Sequence, residues 1–192
     1  MSEHFQRGVE WLQQGQFGEA RAAFEQAVAE RPDWVEARIN LAVASLEVGE
    51  SEAALATLEQ ARKLAPESED VYYNLGVVYE TLQRWDEAQA AYEKAVSLRP
   101  TVPETRCNLG NIYRHKGWLE RAVEQYRAAV DLKPNLAVAH NNLAATYAML
   151  GDFESAAYHV NIAQALGYHV HPGFVSQLRA ELAKRKSQSQ KP

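Results

Sequence analysis

Residues 69–102 read EDVYYNLGVVYETLQRWDEAQAAYEKAVSLRPTV, and this stretch decides the fold. Ala88, Tyr92 and Ala95 stand four and three residues apart, so they share one face of a helix. Upstream, Leu75, Gly76 and Tyr79 form a second stripe at helical spacing. A small residue beside the leucine lets two helices approach closely, and Tyr79 is expected to cover the gap. Two short helices with one apolar face each cannot bury those faces alone, so the segment needs neighbours of its own kind.

The neighbours are present. Prolines recur at 32, 66, 100 and 134, a period of 34 residues. In that register the chain divides into 1–34, 35–68, 69–102, 103–136 and 137–170. The small positions of the second half are Ala20, Ala54, Ala88, Ala122 and Ala156, then Ala27, Ala61, Ala95, Ala129 and Ala163. Between them stand Phe24, Leu58, Tyr92, Tyr126 and Val160. In the first half, Leu41, Leu75, Leu109 and Leu143 precede Ala42, Gly76, Gly110 and Ala144, with Tyr79, Tyr113 and Tyr147 following three of these. Gly15, Gly49, Gly117 and Gly151 separate the halves, as left-handed helix stops do. Asp33 with Glu36, and Thr101 with Glu104, read as capping boxes, and Pro103 suits a first helical turn.

A period of 34 with this alternation of small and large residues resembles the tetratricopeptide repeat family over residues 1–170. The resemblance implies an all-α fold, a right-handed superhelical array of antiparallel helix pairs whose first helices line a concave groove. The ends depart from the pattern: Arg7 stands where leucine is usual, and Tyr168 replaces the terminal proline. Phe174, Leu178 and Leu182 recur every four residues, which predicts a capping helix over 171–186. Residues 187–192 are expected to be a disordered tail.

Asparagine also keeps the period, at Asn40, Asn74, Asn108 and Asn142. Asparagine costs roughly 0.5 kcal/mol relative to alanine within a helix, so four copies in register call for a reason. By the family resemblance this is the sixth position of each repeat, on the groove. An asparagine amide both donates and accepts, so a row of them can hold an extended chain by its peptide groups. The ladder is similar to that of the superhelical domain of O-linked N-acetylglucosamine transferases, where groove asparagines clamp peptides. The blander reading is that they bond the neighbouring helix or record duplication. The residue before each has drifted through Ile39, Tyr73, Cys107 and Asn141, which weakens duplication alone. The expected peptide-binding set is Asn40, Asn74, Asn108 and Asn142 with Tyr73, Val43, Val77, Leu46, Asn111, Arg114 and Asn141. The family's carboxylate clamp for partner C-termini is absent, because Cys107 stands where lysine is required.

Composition narrows the classes further. The 192 residues are 46% hydrophobic with a net charge of −5, and the last nine hold four cations and no acid. An acidic body is a poor match for nucleic acid. No apolar run approaches the ~20 residues of a membrane span, and the first residues lack the apolar core of a secretory signal. The expectation is therefore a cytoplasmic chain. The single cysteine, Cys107, excludes an internal disulfide framework and suits a reducing compartment.

No phosphate loop, nucleophile elbow or His-Glu-x-x-His stands in the chain. His159, His169 and His171 gather near its end without a placed cysteine or carboxylate, so no metal or cofactor is expected. Cys107 and His115 are about 12 Å apart along one helix, too far to pair directly. The reading is not an enzyme but a scaffold or adaptor binding an extended segment of a partner protein, as a monomer or with weak self-association. Two alternatives stay open: a self-assembling structural protein, and the regulatory subunit of a separate enzyme.

Overall fold

The computed structural model describes residues 2–189. The chain forms two compact units, Met1–Pro100 and Thr101–Pro192. Unit 1 holds α1 (Glu3–Gln13), α2 (Phe17–Glu30), α3 (Val35–Glu47), α4 (Ser51–Leu64), α5 (Glu69–Thr81) and α6 (Trp85–Leu98). Unit 2 holds α7 (Pro103–His115), α8 (Leu119–Leu132), α9 (Ala137–Met149), α10 (Phe153–Ala165) and α11 (Pro172–Ser189). Consecutive helices within each unit pack as antiparallel neighbours, and no strand occurs among the described residues.

The alanine stripes explain how close these helices lie. All ten expected alanines, from Ala20 to Ala163, are fully buried. The large residue between them points at the small residue of the partner helix. A Cβ added to Gly8 would sit 2.7 Å from the Phe24 ring, one on Gly76 2.5 Å from the Tyr92 ring, and one on Gly110 2.6 Å from the Tyr126 ring. Where the facing residue is aliphatic, as in the core pairs Ala42 with Leu58 and Ala144 with Val160, the small residue keeps its methyl. Size is thus matched pair by pair, as close packing demands.

This corrects one expectation. The rings that cover Gly76 and Gly110 are Tyr92 and Tyr126, not Tyr79 and Tyr113. Tyr79 instead donates its hydroxyl to Glu59 at 3.1 Å and lies under Arg84, and Tyr113 accepts from Arg121 at 2.6 Å. The cause is helical geometry: a residue three further along the same helix covers its own helix, and only a partner helix can fill the space above a glycine.

The capping boxes are corrected too. The N-caps of α3 and α7 are Trp34 and Val102, neither with a side-chain cap. The helices start one residue later than Asp33 and Thr101 require. The cap position is used for packing: Trp34 stacks on Phe5 at 4.3 Å. Glu104 bonds Lys133 at 2.9 Å instead. Ser68 and Asp152 do cap with their side chains, on Val71 and Ser155.

Gly15, Gly49, Gly117 and Gly151 adopt φ from +73° to +84°, closing the turn between paired helices. The third repeat has no glycine there and forces Gln83 to φ +58°. The same two bonds close it, Arg84 N–H to Tyr79 O at 2.8 Å and Gln83 N–H to Glu80 O at 3.0 Å.

On α11, Phe174, Leu178 and Leu182 pack on the core formed by Ala144, Ala156, Val160 and Ala163. Arg185 donates to Gly151 O at 2.7 Å, fastening the helix to the end of α9. The helix continues past residue 186 to Ser189, where a tail was expected. Ser187 supports this by bonding Lys184 O at 2.7 Å, a contact that a helical turn brings within reach. The remainder of the expected tail, residues 190–192, lies outside the described residues.

Candidate functional site

In unit 1 the first helices of successive pairs, α3 and α5, carry Asn40 and Asn74, both half-buried. Each Nδ2 donates one turn back along its own helix, Asn40 to Glu36 O at 2.9 Å and Asn74 to Asp70 O at 2.7 Å. Neither Oδ1 accepts a hydrogen bond from the described residues. Both amides are therefore in the same pose, one end tethered locally and the other open. Val43, Val77, Tyr73 and Leu46 lie half-buried on the same two helices. Tyr73 packs edge-on against Tyr92 at 6.1 Å, and Leu46 rests on the unit's core. A cavity of about 510 Å³ opens beside Phe5, Gln6, Val9, Glu10 and Glu36.

In unit 2 the amides are wired differently. Asn142 Nδ2 on α9 donates to Asn111 Oδ1 on α7 at 3.0 Å, and the same oxygen accepts from the Tyr126 hydroxyl at 2.7 Å. Asn142 thus bonds the neighbouring first helix, as the bland reading has it, and the amide pair is fixed by a buried tyrosine. Asn108 lies one turn before Asn111, half-buried. The side chains of Asn141 and Arg114, also half-buried, make no hydrogen bond or ion pair among the described residues. The Arg114 Nε is fully buried and unpaired. A second cavity, about 350 Å³, lies between α9, α10 and α11 against Ala145, Met149, Phe153 and Phe174.

Cys107 is buried, and that burial, helped by the Glu104 carboxylate, pushes its thiol up to about 12. Such a thiol stays protonated at neutral pH and is no nucleophile. The three histidines near the end of the fifth repeat have separate surroundings where they are described. His171 accepts from Gly173 N–H at 3.1 Å, while His159 pairs with His140, Nδ1 to Nδ1 at 3.0 Å. His140 Nε2 donates to Pro134 O at 3.0 Å, so His140 accepts at Nδ1 and His159 donates. Burial first, then the His140 and Arg127 charges, brings His159 down to about 4. Among the described residues no group of three or more metal-ligand side chains assembles.

His140 was missed in the sequence although a signal existed. It holds the fourth place of its repeat, where Arg38 stands three repeats earlier, and Arg38 likewise donates to the carbonyl of the preceding proline, Pro32, at 2.7 Å. The cavity beside α11 had no signal in the period, because α11 lies outside it.

Family models described as tetratricopeptide repeat match residues 12–75, 69–102 and 91–124, and one described as TPR repeat matches 110–151. Together they run from 12 to 151, and the match to 69–102 coincides with the pair α5 and α6. The chain belongs to the tetratricopeptide-repeat family. No curated protein sequence matches it. Solved tetratricopeptide folds similar to it include MamA 41-end from Desulfovibrio magneticus RS-1, 22% identical with a TM-score of 0.76, covering 87% of this chain and 97% of that one. MamA MSR-1 C2 is 26% identical with a TM-score of 0.70, covering 85% and 94%. YrrB, titled a TPR protein with an unusual peptide-binding site, is 22% identical with a TM-score of 0.68, covering 85% and 84%. No helix among the described residues is long and apolar enough to cross a membrane.

Proposed function

We propose that this tetratricopeptide protein is a non-catalytic interaction scaffold that holds an extended segment of a partner protein against its first helices. The observation that carries the reading is the repeated pose of Asn40 and Asn74. Each spends its donor on an exposed carbonyl of its own helix, a bond that a ligand can replace at little cost, and each keeps its acceptor open. Two acceptors in register suit peptide N–H groups spaced along an extended chain. In unit 2, Asn108 and Asn142 hold the same place in their repeats, with Asn111 and Asn141 beside them. Val43, Val77, Tyr73 and Leu46 add apolar contact around the amides of unit 1. The likeness to YrrB, a TPR protein with an unusual peptide-binding site, agrees with this reading. A cytoplasmic location fits the single reduced thiol.

The test is selection of peptides from a displayed random library on the wild-type protein, then measurement of their affinity for the variant with Asn40, Asn74, Asn108 and Asn142 all changed to Ala. Alanine is the better helix former, so the helices persist. Each lost amide contact is worth about 0.5–1.5 kcal/mol, so affinity falls at least tenfold. Undiminished binding by a folded quadruple variant would sink the proposal.

A further inference from the structure

The inner helices of unit 2 carry one group that the backbone-holding scheme does not use. The Arg114 side chain, near the end of α7, makes no hydrogen bond, ion pair or ring contact with the described residues, and its Nε is buried without a partner. The chain's other half-buried arginines are occupied: Arg38 bonds Pro32 O, Arg106 bonds Gln125, and Arg21 pairs with Glu50. The half-buried side chain leaves its guanidinium charge without a counter-ion, and a carboxylate is the acceptor that pairs with it most strongly.

The surroundings say what lies next to that carboxylate. Asn111 and Asn142 join α7 to α9 by a 3.0 Å hydrogen bond. One turn further along the two helices come Arg114 and Ala145, so they fall on the same side of adjacent helices. Ala145 is a wall of the 350 Å³ cavity, whose other walls include Met149, Phe153 and Phe174. Met149 is 58% exposed at its rim. A cation beside an apolar hollow has one natural complement.

We infer that unit 2 selects partner segments in which an acidic side chain pairs with Arg114 and an adjacent bulky apolar side chain fills the cavity between α9 and α11. This deepens the peptide-holding reading and rests on it. The tail of a second copy is a poor occupant, because Lys184, Arg185, Lys186 and Lys191 bring only positive charge to Arg114. The occupant is thus another protein's acidic–apolar stretch.

The test uses the full chain and an array of synthetic twelve-residue peptides. A central Glu is paired with its Gln counterpart, the following residue is Leu, Phe or Ala, and the remaining positions are randomised. The array is probed with wild type, Arg114→Gln, Ala145→Trp and the quadruple asparagine variant. Wild type is expected to bind the Glu peptides about tenfold more tightly than the Gln ones, less so in high salt. Arg114→Gln should erase that difference while keeping its thermal midpoint, and Ala145→Trp should erase the preference for Leu or Phe while keeping that for Glu. Equal binding of Glu and Gln peptides by wild type, or a Glu preference that survives in Arg114→Gln, overturns the inference and leaves peptide holding intact. Absence of binding to every peptide overturns both.

Discussion

Replacing Gly76 by alanine should destabilise the protein although alanine is the better helix former. The new Cβ would lie 2.5 Å from Tyr92 Cε1, 2.6 Å from Cδ1 and 2.8 Å from Cζ, where carbon atoms prefer about 3.5–4.0 Å. The ring cannot retreat easily. It is fully buried, its hydroxyl is bonded to Glu80 at 3.0 Å, and Tyr73 lies against it. Overpacking of this kind costs about 1–3 kcal/mol, against a gain of about 1 kcal/mol from helix propensity. Urea unfolding followed by circular dichroism should show a net loss of about 1–2 kcal/mol, or a fall of several degrees in thermal midpoint. The partner change Tyr92→Leu alone leaves a hole and costs about 2–4 kcal/mol. Made together, Gly76→Ala and Tyr92→Leu recreate the Ala42 and Leu58 arrangement of the preceding pair. The double variant should therefore be more stable than the two losses predict by 1 kcal/mol or more, on the order seen for touching residues. A Gly76→Ala protein as stable as wild type, or strictly additive losses, would refute the size-matching argument.

Three further outcomes follow from the same geometry. Gln83→Gly should stabilise by about 0.5–1 kcal/mol in urea unfolding, because Gln83 alone among the non-glycine residues described holds a positive φ. His159, low in the folded protein at about 4 and ordinary when unfolded, contributes stability that is fully present above pH 6.5 and is lost as pH falls toward 4. The ring is only half-buried, so solvent screening reduces the loss to about 1–2 kcal/mol, and a thermal-midpoint profile of His159→Phe should be flatter than wild type over that window. Cys107 should resist a thiol reagent at pH 8 until the chain is unfolded by urea, when it reacts fully.

The period and the helix pairs were legible because duplication writes the same packing rule five times. Ala20 through Ala163 and the turn glycines each report a constraint that recurs. What escaped the sequence was set between helices rather than along them. Which ring covers Gly76 depends on the partner helix, and the spacing to Tyr79 offered a nearer but wrong candidate. The N-cap of α3 shifted because Trp34 is held by stacking on Phe5, which overrode the side chain of Asp33, and the N-cap of α7 fell on Val102 rather than Thr101. The asparagines were found by period, yet their wiring was hidden: Asn40 and Asn74 bond their own helix, while Asn142 bonds Asn111. Arg114 was chosen by position, but its lack of any partner shows only when the neighbouring side chains are in place.

The central claim, that the asparagines read a partner's backbone, is met most directly by a crystal structure of the protein with a selected peptide bound. The account predicts the peptide extended along the first helices, with Asn40 and Asn74 Oδ1 atoms about 2.7–3.2 Å from peptide nitrogens. A peptide seated elsewhere, with Asn40 and Asn74 still bonded only to Glu36 and Asp70, would contradict it.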